Sequence, residues 1–199
     1  MKKNDAEALD LKTVEVPEKK PLWKDALQTV FMLGCTVVFC LLFFRYVGQR
    51  VAVDGSSMKE TLQNKDQLII DCFTYHFLHE PERYDIIVFR LKSDPKVYYI
   101  KRVIGLPGET VQIRDSVVYI NGQPIDDPYS QGVSFRGGSA ESPVTLGEGE
   151  FFVMGDNRND SIDSRFSVGP VNKNQIIGRA FFRLLPFKKM GSIAPEKQS

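Results

Sequence analysis

Ala26 to Phe44 runs 19 residues without a charge, ALQTVFMLGCTVVFCLLFF. No other feature limits the fold of this chain as strongly. As a helix the run is about 28 Å long, close to the roughly 30 Å of hydrocarbon in a bilayer. A helix inside a soluble protein is seldom apolar on every side for five turns. A cleavable leader has a shorter apolar region and a small-x-small exit. Here 25 residues carrying six Lys and six acidic side chains come first, and Phe43-Phe44-Arg45-Tyr46 closes the run. Trp23 and Tyr46 bracket it, as aromatic residues do at membrane interfaces. The expectation is a transmembrane helix over 26–46 behind a disordered polar tail over 1–25. Lys12, Lys19, Lys20 and Lys24 precede the span, against Arg45, Arg50 and Lys59 after it. That bias leans toward a cytoplasmic N-terminus.

Beyond the span the period changes. Gln67–Ile70, Asp85–Phe89 and Val97–Ile104 are short, rich in β-branched and aromatic residues, and bounded by turn signals. Thr110–Arg114 alternates, with Val111 and Ile113 on one face. Val117–Ile120, Asn121-Gly122 and Gln123–Ile125 read as a hairpin with a tight turn. Residues 130–149 read as a Gly/Ser-rich loop, Phe151–Met154 as a strand, and Ile176–Leu185 as a long strand or a strand pair. Many short strands predict a mostly β domain, barrel or sandwich, with little helix beyond the anchor. Phe181, Phe182, Leu184, Leu185 and Phe187 read first as core of the last strand and second as a lipid-facing patch.

The candidate chemistry is narrow. With 26 basic and 25 acidic residues the formal charge is +1, which gives no argument for nucleic acid. Cys35 and Cys40 lie in the apolar run and Cys72 is alone, so no disulfide framework or cysteine metal site is expected. His76 and His79 lack HExxH spacing or a cysteine pair for zinc, and no acidic partner is patterned for a Ser-His-Asp triad. A calcium loop starting at Asp156 would put Arg158 third and Ser161 where Gly is needed. Neither metal nor cofactor is expected. A serine can instead use a lysine as base, provided the amine is neutral, which desolvation favours. Lys101 is suited to that: on a strand it shares a face with Val97, Tyr99 and Val103. Ser56 and Ser57 stand in a turn-like stretch, Ser57 44 residues before Lys101. Gly155 to Arg165 reads either as a solvated turn or as a structured polar loop that brings hydroxyls and ion pairs to a site.

Gly-Ser-Ser-Met-x-x-Thr-Leu at 55–62, Arg-Tyr-Asp-Ile-Ile-Val-Phe at 83–89, Tyr-Ile-Lys-Arg-Val-Ile-Gly-Leu-Pro-Gly-Glu at 99–109 and Gly-Asp-Asn-Arg-x-x-Ser-x-Asp-Ser-Arg at 155–165 follow in order behind one anchor. In this the chain resembles the bacterial type I signal peptidases, over the anchor and nearly all of 47–190. The resemblance implies a membrane-bound endopeptidase in the bacterial cell membrane, N-terminus inside and catalytic domain outside. It implies coiled, mostly antiparallel sheets over 47–190, with a smaller β subdomain at about 107–150 and a flexible C-terminus over 191–199. By motif position Ser57 is the nucleophile, Lys101 the general base and Ser161 the hydroxyl that orients the lysine. Met58, Asp156, Arg102, Asp163 and Arg165 support them. Two positions depart from the fuller pattern. Glu60 stands where many members have Pro, which should loosen the turn. Gly55 stands where some members have a serine that helps hold the oxyanion, leaving the Ser57 N–H as main donor with water, backbone or Ser56 as second. Gly55→Ser is expected to be tolerated or beneficial.

The expected substrates are secretory pre-proteins, bound as an added strand along Val51, Val53, Asp54 and Gly55 on one side and Tyr98, Tyr99 and Ile100 on the other. Alternate side chains would enter shallow pockets that select Ala-x-Ala exits. Twelve residues from Arg45 to Ser57 span about 40 Å at most, so the site belongs near the bilayer and the secretion translocon. Two alternatives stand beside this: a maturation peptidase dedicated to a pilus or conjugation protein, and an inactive β-domain that binds signal peptides.

Overall fold

The computed structural model describes residues 22–46, 49–91, 93–130 and 132–193. Residues 1–21 of the tail expected over 1–25, residues 194–199 and the Tyr46 side chain lie outside the described residues. The chain forms two units, one ending at Leu41 and one starting at Leu42. Helix α1 (Leu22–Tyr46) begins four residues before the expected start, with Asp25 in its first turn, where a carboxylate suits the positive end of the helix. Residues 23–43 bury nothing against protein, and the helix is long and apolar enough to cross a membrane. Thr29 and Thr36 donate their hydroxyls to the carbonyls of Asp25 and Met32, at 2.8 and 2.9 Å. Their polar groups are thereby satisfied within the helix, as hydrocarbon surroundings require.

The second unit opens with strands β1 (Gln49–Ala52), β2 (Gln67–Asp71), β3 (Ile86–Leu91) and β4 (Asp94–Gly105). After them come β5 (Thr110–Arg114), β6 (Val117–Ile120), β7 (Gln123–Pro124) and β8 (Val144–Thr145). The last are β9 (Glu150–Met154), β10 (Val171–Asn172), β11 (Ile176–Leu185) and β12 (Gly191–Ser192), and a short helix α2 (Phe73–Phe77) follows β2. The larger sheet has the order β1-β2-β11-β3-β4-β9-β10 with β12 on β11, and the smaller the order β7-β6-β5-β8. Every pairing is antiparallel. The mostly β class and the small second sheet agree with the sequence. The hairpin turn does too: Asn121 and Gly122 have φ of 51° and 80°, both in the region that a tight two-residue turn needs.

Of the two readings of Ile176–Leu185 the long strand holds, bent by register shifts against β2 and β3. Other expectations change. The loop over 130–149 contains β8 and a 3-10 turn, Gly138–Glu141. The C-terminus is packed through Ile193, which is buried and donates its N–H to Phe181 O. Phe181, Phe182, Leu184 and Leu185 are half-buried rather than core, and Phe187 is 75% exposed.

One core packs Val53, Met58 and Leu62 with Leu68, Ile70, Ile86 and Ile100. A second joins the small sheet to Ile104, Phe152 and Met154 of the large one. Met58 and Leu62 therefore anchor the stretch that carries Ser57, each burial contributing about 2 kcal/mol.

Candidate active site

Between β1 and β2 the chain makes a short helical turn. Lys59 N–H donates to Ser56 O, and both Thr61 and Leu62 N–H donate to Met58 O. With Met58 and Leu62 in the core, the turn presents Ser57 outward. Lys101 comes from β4 and is 5% exposed. Its Nζ donates to Ser57 Oγ at 2.7 Å and to Ile100 O at 3.1 Å. Burial pulls the amine down from 10.5 to about 8, with Asp163 and Asp156 acting in the opposite direction. The face that Lys101 shares with Val97 and Tyr99 is not what buries it. Val97 of that face is 43% exposed, while every residue from Ile100 to Ile104 is buried, whichever way it points. The strand passes from a rim into a core covered on both sides.

The stretch from Gly155 to Arg165 is largely buried, not a solvated turn. Arg102 Nε and Nη2 donate to the two oxygens of Asp156 at 2.8 and 2.7 Å. Arg165 grips Asp163 the same way, at 2.8 Å twice. Burial pushes the Asp163 carboxyl up, but the hydrogen bonds and charge of Arg165, with the Gly155 N–H and Ser161 hydroxyl, bring it below its ordinary value. Gly155 is required by close approach: a Cβ there would lie 2.3 Å from Ser161 Oγ and 2.4 Å from Ser57 O.

Three expected roles meet a different geometry. Ser161 lines the cleft with Lys101, but its hydroxyl is not an acceptor for the amine. The Ile100 carbonyl is the second acceptor for the amine instead. Ser56 Oγ donates to Asp160 Oδ2, a contact that holds it away from an oxyanion role. Val51 packs on the core, and its neighbour Ala52 lines the cleft, because side chains alternate along a strand. The Ser57 N–H has no acceptor among the described residues.

The cleft is about 360 Å³ and is lined by Val53, Asp54, Gly55, Tyr98, Tyr99 and Ile100. Ile162 was not expected; it also lines the cleft and is 64% exposed. A larger hollow, about 460 Å³, opens on the small sheet beside Asp115 and Val133. Chemistry and not size picks the site, since the cleft holds a serine in contact with a buried amine. His79 is exposed, its Nδ1 2.9 Å from Glu80 O. The His76 side chain lies outside the described residues.

On the β3 side, β4 is paired at Asp94 and, past a register shift, from Tyr99 to Arg102. On the β9 side it is paired at Arg102, Val103 and Gly105. From Asp94 to Lys101 that second edge carries no strand among the described residues.

Sequence reasoning missed Asn157, which donates its backbone N–H to Ser57 O at 3.0 Å and its Nδ2 to Ser56 O at 3.1 Å. It also missed Asp127, 2.6 Å from Arg158 in a buried pair. The Asp-Asn-Arg of the motif offered a signal for Asn157, and Asp127 had none.

Gly55 has a φ of 106° with open space around its Cβ position. This reverses the sequence expectation for Gly55→Ser. A serine fits sterically but strains the backbone by about 1–3 kcal/mol. The variant should melt earlier and cut more slowly than the parent, read by thermal unfolding and initial rate. A variant as stable and active as the parent would show that the turn relaxes without cost.

A family model described as "Signal peptidase, peptidase S26" matches residues 23–185. Signal peptidase I S of Bacillus subtilis (strain 168) is 36% identical over 188 residues, 90% of this chain and 98% of its own length. Signal peptidase I of Leptolyngbya laminosa is 40% identical over 171 residues, 82% and 81% of the two chains. A crystal structure of a signal peptidase I from Enterococcus faecalis V583 has 35% identity and a TM-score of 0.42, covering 51% of this chain and 97% of that one.

Proposed function

The chain belongs to the signal peptidase family, peptidase S26, a family of serine peptidases, and from that premise we propose that it removes signal peptides from exported pre-proteins with Ser57 as nucleophile and Lys101 as general base. The observation that carries the mechanism is the 2.7 Å contact between Ser57 Oγ and a buried Lys101 amine. When the amine is neutral, the serine O–H donates along that contact and Nζ takes the proton as Oγ attacks the scissile carbonyl. The Ser57 N–H faces the developing oxyanion, where one preorganised donor is worth about 3 kcal/mol. The leaving amine takes its proton from Lys101, and the amine then activates water to release the acyl group. Asp156 and Asp163 are each saturated by an arginine, so neither is free to neutralise Lys101 by direct pairing.

The substrate runs as a strand against the unpaired edge of β4 and the segment after β1, its alternate side chains turned into the cleft. Small residues one and three before the cut fit a cleft of this size. Helix α1 is the membrane anchor, with the N-terminus inside and the second unit outside. The test is incubation of the detergent-purified chain with a pre-protein bearing an Ala-x-Ala exit, followed by sequencing of the product N-terminus. A new N-terminus directly after the second Ala supports the reading, and an intact pre-protein overturns it.

The pH dependence follows from the amine. With Lys101 near pH 8, about one enzyme in ten holds it neutral at pH 7. The kcat/KM should climb about tenfold per pH unit below 8 and level off above it. A rate that stays flat between pH 6 and 9 would remove Lys101 as the base.

A further inference from the structure

We propose that Thr61 is the positioning residue that holds the Ser57 turn in register with the strand that carries Lys101. This role rests on the Ser57–Lys101 reading. Ser57 and Lys101 belong to elements with no strand pairing between them: β4 pairs with β3 and β9, and the turn follows β1, which pairs with β2. Proton transfer nevertheless needs the two atoms at hydrogen-bond distance, so something must fix the turn against β4.

Thr61 is tied on both sides. Its Oγ1 donates to Asp156 Oδ2 and accepts from Arg102 Nη2 at 3.3 Å. Arg102 is the residue after Lys101 on β4, and it grips the same Asp156 with two hydrogen bonds. The carbonyl of Thr61 accepts from Arg183 Nη2 of β11, and Arg183 Nε is ion-paired with Asp66 at 3.0 Å. Asp66 also closes the foot of the turn, accepting Val53 N–H on its backbone carbonyl and Gln63 N–H on its carboxylate. Thr61 N–H donates to Met58 O, so the tied residue and Ser57 sit on one short turn. A β-branched side chain has few rotamers, which keeps the hydroxyl aimed. The same ties compensate for Glu60 standing where a proline was expected to stiffen the turn.

The experiment compares Thr61→Val and Thr61→Ser with the parent in full-chain, detergent-solubilised protein, measuring kcat, KM, the pH profile and thermal unfolding. Thr61→Val keeps the shape and removes the hydroxyl. Misregister of this order should lower kcat roughly ten- to a hundredfold with KM unchanged. Lys101 is faced by Asp156 and Asp163, held by Arg102 and Arg165. An Asp156 carboxylate with one donor fewer holds the ammonium more strongly, so the acid limb should move to higher pH. Thr61→Ser should restore both readouts. Parental kcat and acid limb in Thr61→Val would overturn the proposal, as would a kcat loss that serine does not rescue or a melting shift alone. If Thr61→Val does not fold, Thr61→Ala gives the same readouts, and failure of both to fold makes Thr61 structural and overturns it as well. The two readings fail separately. An active Ser57→Ala removes the dyad, whereas an inactive Ser57→Ala beside a parental Thr61→Val removes only the role of Thr61.

Discussion

Ser57→Ala is expected to lower pre-protein cleavage by at least about a thousandfold while leaving the fold in place, and Lys101→Met to do the same. The first variant removes the attacking oxygen and the second the only amine in contact with it among the described residues. Their effects on stability should differ in sign. Ser57 gives up one hydrogen bond to Lys101, a change of about 1 kcal/mol. Lys101 is buried, and its folded value of about 8 lies below the 10.5 of the free side chain. Folding therefore expels a proton between those two values, and the parent gains stability as pH rises through that window. Below pH 8 the amine is charged in both states and the full penalty of burying it is present. Methionine removes the penalty, so Lys101→Met should be the more stable protein at pH 7 by up to about 3 kcal/mol. Initial rates and thermal melts on both variants check this. An active Ser57→Ala, or an active Lys101→Met, would end the dyad mechanism.

Asp163→Ala should be the most damaging single change to the fold. Asp163 and Arg165 are both buried, with two side-chain hydrogen bonds and one from the Arg165 backbone N–H between them. Removing the acid leaves a guanidinium without a counter-charge in the interior, a loss of about 3–5 kcal/mol. It also takes the acceptor from the Gly155 N–H, beside the nucleophile. Replacing both members, Asp163→Ala with Arg165→Met, should recover much of the loss, because a missing pair is far cheaper than a broken one. Denaturant midpoints for the three proteins measure it. Equal midpoints for the parent and Asp163→Ala would mean that water reaches the arginine.

What the sequence could and could not tell follows from the range of each interaction. The β5–β6–β7 meander was legible because its alternation and its Asn-Gly turn are local. The equally short β1, β8, β10 and β12 have no such turn beside them to mark a hairpin, and too little pattern of their own to be read. Ser57 and Lys101 stood out by their motifs, but the reason given for burial of the lysine was incomplete, since burial of β4 changes along its length. The polar run after Met154 could be read as a solvated turn or as a structured loop, because nothing local says that Arg102 awaits Asp156. Thr61 stayed silent: its hydroxyl reaches Asp156, 95 residues on, and its other tie uses a carbonyl that every residue has.

The half-paired strand β4 has a consequence for how the molecule survives in company. An unpaired edge long enough to receive a guest chain is equally a template for another copy, and such edges drive aggregation. Here the outer end of the edge begins Asp94-Pro95-Lys96, with Pro95 and Lys96 exposed. Proline cannot donate to a ladder, and lysine resists being sandwiched between strands. Sheet growth is thus discouraged at the approach, and in the proposed mechanism a chain that pairs further in, beside Lys101, is cut and does not stay.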